Sequence, residues 1–208
     1  MFKVGFIDDD QTTIDDYKIR LKRKGIDLYF VENCSTKQNV IDWILENEIK
    51  CMLVDYKLTG AYDFNGTQLV AFINSELPDL PCVILSNYCE SGKEENLVIE
   101  NLFIDREVLA ADFDSSKFEQ FINTLKQAVE VFDNRLKLHL AEYEEIRIKK
   151  ERNNGITVRE EERLVDLFKI LRAYNEVDDL PAELLTTNAT KKMSDILQSL
   201  NELIDKTK

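Results

Sequence analysis

The sequence predicts an α/β fold in which five parallel strands form a doubly wound sheet, followed by an all-α C-terminal module. The first observation is a series of five short apolar runs in the first half of the chain, each with the length and bulk of a strand buried on both faces. They occupy residues 4–7, 28–31, 51–54, 82–85 and 102–104. The second observation is that segments of helical period separate these runs, which is the alternation that parallel strands joined by crossover helices require.

The helical segments carry apolar residues three and four positions apart, as amphipathic helices do. In chain order they hold Ile14, Tyr17 and Leu21; Val40, Ile41, Ile44 and Leu45; Leu69, Val70, Phe72 and Ile73; a weaker stretch at 94–99; and Phe118, Phe121, Ile122 and Leu125. Right-handed crossovers place such helices on both faces of the sheet and leave a crevice at the carboxyl ends of the strands. The polar residues that directly follow each strand are therefore the candidates for function.

Beyond about residue 128 the chain changes character, because no strand-like run remains. Apolar positions continue to step by three or four as far as Tyr143, which predicts that the fifth helix extends well past the sheet. Asn153-Asn154-Gly155 ends it, and Thr157 with Glu160 forms a capping box that opens a second helix. We therefore predict an antiparallel helical hairpin.

A further break at 178–181 precedes a last amphipathic segment at 193–204. These changes divide the chain into a sheet domain at 1–132 and a helical module at 133–208. The heptad-like stretch from Phe118 to Tyr143 could form a parallel dimer seam, or it could pack against later helices of its own chain. The cap signals favour the second arrangement.

The composition excludes several classes of protein. Of the 208 residues, 44% are hydrophobic and 32% are charged, which rules out a disordered or low-complexity chain. The formal charge of −13 gives little long-range attraction for nucleic acid or an anionic membrane. The chain shows no apolar run long enough to span a membrane and no cleavage site near its start, so we expect a cytoplasmic protein. Its four cysteines, which lack metal-site spacing, are expected to be reduced and mostly buried.

Acidic residues follow two of the predicted strands. Asp8-Asp9-Asp10 comes after the first, and Asp55 ends the third. A parallel sheet brings these positions to one edge, where the carboxylates repel one another. A bound Mg²⁺ would relieve that repulsion, because this ion prefers oxygen ligands and suits two or three carboxylates with a backbone carbonyl. We therefore predict a magnesium site at this edge.

A hydroxyl and a guanidinium are expected at the same edge. Ser86 follows the fourth strand, and Asp105-Arg106 follows the fifth. Carboxylate, metal, hydroxyl and cation together suit phosphoryl transfer.

This pattern resembles the receiver domain of two-component response regulators, a flavodoxin-like fold, over residues 1–132. The resemblance implies that Asp8 and Asp9 form the acidic pair, with Asp9 a direct ligand of the metal, and that Asp55 is the phosphoacceptor. It also implies that the backbone carbonyl of Lys57 is the third protein ligand.

The resemblance assigns the remaining site residues as well. Ser86 matches the hydroxyl residue that bonds the phosphoryl group, Asn87 follows it at the mouth of the site, and Phe103 matches the aromatic switch position on the fifth strand. Arg106 stands where the family normally has Lys and would contact the phosphoryl group.

The resemblance further implies a mechanism and its partners. Asp55 would accept a phosphoryl group from a sensor histidine kinase or a phosphotransfer protein, with Mg²⁺ neutralising the developing charge. Ser86 would then move inward with Phe103, and the helical module would bind a protein partner or a second copy of the chain. Such a chain accepts a phosphoryl group but does not process a substrate as an enzyme.

Three departures from the family pattern weaken the implied activity, and the first two support an alternative, a pseudo-receiver adaptor that works without phosphorylation. Arg106 replaces the compact ammonium by a rigid fork, and Asn87 stands where a small residue is usual. The loop from Thr59 to Asn65 is a few residues longer than usual and lacks the usual Pro.

Two further functions are disfavoured by the residues around their candidate positions. A DNA-binding regulator needs a basic recognition helix, but the helix after Thr157 begins with interleaved acids and bases, and the basic residues at 147–152 alternate with glutamates. His139, the only histidine, lacks the neighbouring charged residue that phosphotransfer motifs usually show.

Overall fold

The computed structural model contains one sheet of five parallel strands in the order β2-β1-β3-β4-β5. It describes residues 2–10, 12, 14–58, 60–87, 97–98, 102–152 and 155–178. The strands are β1 (Phe2–Ile7), β2 (Ile26–Phe30), β3 (Met52–Asp55), β4 (Cys82–Leu85) and β5 (Phe103–Ile104). The predicted fold class is confirmed.

Five α-helices are present among the described residues. They are α1 (Ile14–Arg23), α2 (Lys37–Glu46), α3 (Gly66–Glu76), α4 (Ser116–Glu151) and α5 (Val158–Ala173). A 3₁₀ turn, Arg106–Leu109, follows β5. The predicted helical stretch at 94–99 falls mostly outside the described residues, so the predicted fifth helix is α4 here. It runs for 36 residues, which confirms the predicted extension past the sheet.

Side-chain caps fix where several helices begin. Thr36 accepts a hydrogen bond from the backbone of α2, and Asn65 with Gln68 forms a capping box on α3. The capping box predicted from Thr157 and Glu160 opens α5. Each box satisfies two backbone N–H groups that would otherwise lack partners.

Apolar residues cover both faces of the sheet because successive strand residues point to opposite sides. One face carries a buried cluster that includes Val4, Phe6, Leu53 and Leu85 and packs against α1 and the first half of α4. The alternate positions Ile7, Val54 and Ile84 are also fully buried and point to the other face, on the side of α2 and α3. This burial on both faces explains the near-continuous apolar runs in the sequence.

The chain divides into two compact units, Met1–Arg135 and Leu136–Lys208. In the second unit, the Tyr143 and Phe168 rings lie 6.5 Å apart, and Lys149 forms an ion pair with Glu160 at 2.5 Å. The later residue of α4, Lys149, contacts the earlier residue of α5, Glu160. The two helices are therefore antiparallel, as predicted. The predicted helix at 193–204 lies outside the described residues.

The buried side of α4 explains its heptad-like pattern. Buried positions recur along its whole length and are Phe118, Ile122, Leu125, Val129, Phe132, Leu136, Tyr143 and Ile146. These residues pack within their own chain, which is the arrangement that the cap signals favour. Among the described residues, no helix is both long and apolar enough to cross a membrane.

The thiols agree with the expectation of reduced cysteines. Cys34, Cys51 and Cys82 are free, the last two fully buried and Cys34 partly exposed, whereas Cys89 lies outside the described residues. Burial raises the pKa of Cys51 to about 12, so this thiol is protonated and inert at neutral pH.

Candidate functional site

The carboxyl ends of β1 and β3 bring three carboxylates together. Ile7 pairs with Val54, so Asp8 and Asp55, the next residue of each strand, lie side by side. One oxygen from each of Asp8, Asp9 and Asp55 lies within 4.8 Å of the others. Asp8 and Asp55 are only 2% and 5% exposed, whereas Asp9 faces solvent.

Asp10, the third acid of the predicted run, does not belong to this group of carboxylates. The Asp10 carboxylate accepts hydrogen bonds from the backbone N–H and the hydroxyl of Thr12, at 2.9 and 2.7 Å. The Asp10 N–H in turn donates to Asp8 Oδ1 at 2.9 Å. The bond from the Asp10 N–H fixes the direction of the Asp8 carboxylate.

Asp55 is oriented from its own strand end. The backbone N–H of Lys57 donates to Asp55 Oδ2 at 2.8 Å. Lys57 therefore lies directly beside the acceptor candidate, as its assignment requires. The role of its carbonyl as a metal ligand stays a prediction.

Arg106 joins two of the carboxylates. Its Nη2 lies 2.7 Å from Asp8 Oδ2, and its Nη1 donates to Asp55 Oδ1 at 3.2 Å. Only 18% of the Arg106 side chain is exposed. The neighbouring residue, Asp105, does not contribute to this cluster, since its carboxylate caps the 3₁₀ turn by accepting from the Glu107 N–H at 2.9 Å.

Burial and charge act in opposite directions on the acids. Burial raises the pKa of Asp8 to about 6, although the Asp10 N–H and Arg106 favour its charged form. Burial also raises the pKa of Asp55, again against the effect of Arg106. The guanidinium therefore offsets only part of the cost of placing these carboxylates together in a partly desolvated site.

The remaining predicted residues lie at or near the same edge. Ser86 is 1% exposed and follows Leu85, which pairs with Asp55, and its N–H donates to the Ile104 carbonyl at 3.1 Å. Asn87 is exposed, and Phe103 is half-buried in β5. Of the predicted side chains, the structure thus places Asp8, Asp9, Asp55 and Arg106 in mutual proximity, with Ser86 on the adjoining strand end.

Two glycines that sequence reasoning missed shape the site. A Cβ on Gly66 would overlap the Asp55 carbonyl oxygen, and one on Gly60 would lie 2.7 Å from Asp9 Oδ2. Both glycines therefore permit a close approach of the segment after β3 to the acids. No periodic pattern in the sequence marks these positions, because the atoms that crowd each glycine are brought there by the fold.

Two apolar side chains of the segment before α3 are buried. Phe64 and Leu58 are buried, and the Tyr62 ring lies 5.2 Å from that of Phe64. Burial raises the pKa of Tyr62, and the negative charges of Asp8 and Asp9 act in the same direction. The Tyr62 and Phe64 rings thus contact each other in this loop, and Tyr62 lies close enough to Asp8 and Asp9 for their charge to act on its pKa. Tyr17 was also missed as a neighbour of the site; with Asp8 and Asp55 it raises the pKa of Arg106.

A doubly wound sheet of order 2-1-3-4-5 is the flavodoxin-like arrangement, and in this chain acids lie at the ends of its first and third strands. The solved structure of NtrX from Brucella abortus in complex with ADP is similar, with a TM-score of 0.50, 16% identity, and coverage of 74% of this chain and 34% of that chain. No family model matches the sequence, and no curated protein matches it.

Smaller solved structures also match. They include a response regulator receiver domain protein from Clostridium thermocellum (17% identity, TM-score 0.47, 66% of this chain and 98% of that chain) and a CheY-like receiver domain protein from Methanospirillum hungatei JF-1 (16% identity, TM-score 0.47, 65% and 98%). This chain has the fold of response regulator receiver domains, as its residues predicted.

Proposed function

We propose that this chain is a response-regulator-like switch that accepts a phosphoryl group on Asp55 in a magnesium-dependent reaction. The observation that carries the proposal is a buried carboxylate at the end of β3, flanked by two further carboxylates within 4.8 Å and by a guanidinium at 3.2 Å. An isolated acid would not need this surrounding, whereas a phosphoacceptor needs both a cation and a positive side chain.

The transfer is a displacement at phosphorus. A carboxylate oxygen of Asp55 attacks the phosphorus of a phosphohistidine on a sensor histidine kinase or a phosphotransfer protein. The new O–P bond forms as the N–P bond breaks, and the histidine nitrogen keeps the electron pair. The Lys57 N–H holds Asp55 in place for this attack, and Arg106 would contact the phosphoryl group.

The donor set fits Mg²⁺. Asp8, Asp9 and Asp55 each offer one oxygen, and the backbone carbonyl of Lys57 would add a further protein ligand. Asp8 Oδ2 is buried and, apart from its ion pair with Arg106, accepts no hydrogen bond from the described residues. Mg²⁺ bound here would neutralise charge that develops on the transferring oxygens.

Ser86, Asn87 and Phe103 are proposed to pass the change on. Ser86 would bond the phosphoryl oxygens, Asn87 would contact them at the mouth of the site, and Phe103 would turn inward on β5. The helical module at 133–208 would then present a changed surface to a protein partner or a second copy in the cytoplasm. The burial of Ser86 and the bond from its N–H to the Ile104 carbonyl of β5 support this role.

Mass spectrometry after incubation with acetyl phosphate and Mg²⁺ tests the acceptor. The wild-type chain is expected to gain one phosphoryl group, and Asp55→Asn is expected to gain none. Asp63→Asn is the matched control, because Asp63 is an exposed acid in the adjoining loop. A mass gain that persists in Asp55→Asn would rule out Asp55 as the acceptor.

A second candidate is the pseudo-receiver adaptor, in which the same surface binds a partner without phosphorylation. The contact of Arg106 with both Asp8 and Asp55 favours it, since the guanidinium already supplies a counter-charge. Failure of the wild-type chain to gain a phosphoryl group or to bind beryllofluoride with Mg²⁺ would support this candidate against the first.

DNA binding receives no support from the helical module. Arg147 pairs with Glu144 and Glu151 at 2.6 and 2.9 Å, and Arg163 pairs with Glu142 at 2.6 Å. These two arginines are thus engaged by acids of the same two helices. His139 is half-buried on α4.

A further inference from the structure

The guanidinium of Arg106 contacts two of the three carboxylates that would hold the metal. It lies 2.7 Å from Asp8 and 3.2 Å from Asp55, whose side chains are 0% and 7% exposed. A guanidinium reaches two acids at once because its donors are spread over a planar fork, whereas an ammonium is a single point of charge. Arginine at this position therefore makes a bridge that lysine would not make in the same way.

The backbone of Arg106 is held in place by the buried 3₁₀ turn that it begins. Arg106 begins the 3₁₀ turn, whose Val108 and Leu109 side chains are both 1% exposed and anchor it in the core. Asp105 caps this turn by accepting from the Glu107 N–H. The bridge is therefore an ordered contact between a rigid turn and two strand ends, at sequence separations of 98 and 51 residues.

A divalent cation needs the same two carboxylates. The three candidate ligand oxygens lie within 4.8 Å of one another, and two of the three residues already contact the guanidinium. Two cations this close repel each other strongly in a partly buried site. Metal and guanidinium therefore compete for Asp8 and Asp55.

We propose that Arg106 is an internal counter-ion that holds the acidic site in a metal-free state and must release Asp8 before a divalent cation binds. This inference rests on the proposed function, because it concerns the same site, and it adds a regulatory consequence. The chain binds metal only when the concentration of the cation is high enough to displace the guanidinium. Arg106 thus sets the metal threshold for the switch.

Isothermal titration of the full chain with Mg²⁺ and with Mn²⁺ tests the competition. Arg106→Lys keeps the charge but loses the two-acid bridge, so it is expected to bind both ions about three- to tenfold more tightly than wild type. Arg135→Lys is the control, because Arg135 is an exposed arginine paired with Asp79, away from the acids. Its affinity is expected to equal that of wild type.

A thermal melt gives a second readout that does not depend on phosphorylation. Arg106→Gln leaves Asp8 and Asp55 without their counter-ion, so it is expected to melt below wild type in the presence of a chelator. Added Mg²⁺ is expected to raise its melting temperature more than that of wild type, because a tighter ligand stabilises the folded state more.

The outcomes separate this inference from the proposed function. Equal or weaker metal affinity in Arg106→Lys, with clear binding by wild type, overturns the competition and leaves phosphorylation of Asp55 standing. Binding by Arg106→Lys but not by wild type supports the competition in its strongest form. Absence of binding in wild type and in both folded Arg106 variants overturns the inference and the proposed metal-dependent function together.

Discussion

At the scale of single residues, the site depends on placing charges where water is largely excluded. Asp8 is nearly inaccessible and its pKa is raised to about 6 by burial, yet it stands beside a second buried acid. The fold tolerates the desolvation of the Asp8 carboxylate because Arg106 and the Asp10 N–H stabilise its charged form. Such groups with shifted pKa values gathered at one edge of a sheet are typical of functional sites.

The close approach of Gly66 to the Asp55 backbone can be tested by a single substitution. Gly66→Ala is expected to lower the free energy of unfolding by about 1–3 kcal/mol, because the new Cβ would overlap the Asp55 carbonyl oxygen and force the strand end to move. Urea denaturation measures the change. Ser75→Ala on the exposed side of α3 is the control and is expected to change stability by less than about 0.5 kcal/mol. Equal stability of the two variants would refute the close approach.

At the scale of elements, the hairpin of α4 and α5 combines a cap with an apolar contact. Thr157 and Glu160 bond reciprocally, and Glu160 also pairs with Lys149 of α4. Farther from the cap, the rings of Tyr143 in α4 and Phe168 in α5 contact each other. The cap sets where α5 begins, and the aromatic contact sets which face it buries.

The cap predicts a pH dependence. The Lys149 and Thr157 contacts lower the pKa of Glu160 to about 2, below its ordinary value of 4.5. Because the folded-state pKa is depressed, the charged carboxylate contributes stability above pH 4.5 and loses that contribution as the pH falls toward 2. Glu160→Gln is therefore expected to be less stable than wild type at pH 7 and nearly equal near pH 2. Since the Glu160 side chain is partly exposed, added salt is expected to shrink the difference at pH 7.

Chemical denaturation followed by circular dichroism at several pH values measures this effect. Glu162→Gln is the control, since Glu162 is exposed on the same helix and no cap contact involves it among the described residues. A gap between wild type and Glu160→Gln that stays constant from pH 7 to pH 2 would show that the charge plays no part.

Removing the Phe168 ring from its contact with Tyr143 is expected to lower stability more than changing the cap does. Phe168 is 1% exposed, so Phe168→Ala is expected to cost about 3–5 kcal/mol through lost burial and a cavity. Hydrogen exchange should accelerate in α5 in this variant. Val158→Ala, at a position 73% exposed, is the control and should change little. Unchanged exchange in Phe168→Ala would show that the ring does not hold the hairpin.

At the scale of the whole molecule, charge and architecture limit what the chain can contact. The formal charge of −13 opposes binding to polyanions, and the basic side chains Arg147, Lys149 and Arg163 are paired with glutamates. The net charge and the acidic edge of the sheet therefore favour cations over polyanions.

Fluorescence anisotropy with a labelled DNA duplex checks this expectation. No binding is expected at micromolar protein even at low salt, because counterion release needs several unpaired cationic side chains. A charge-reversed variant with Glu142→Lys, Glu144→Lys and Glu151→Lys is the positive control and should bind in a salt-sensitive way. Salt-sensitive binding by wild type would revive the DNA-binding alternative.

The sequence by itself determined the alternation of strands and helices, the acids after β1 and β3, the length of α4 and the Thr157 cap. Each of these is encoded locally, in the period of apolar residues or in neighbours three to four positions apart. The tertiary structure alone decided that Arg106 bridges Asp8 and Asp55, that Gly60 lies against Asp9, and that Tyr62 lies near Asp8 and Asp9. Those contacts join residues up to 98 positions apart, so they depend on how the strands assemble and not on any local pattern.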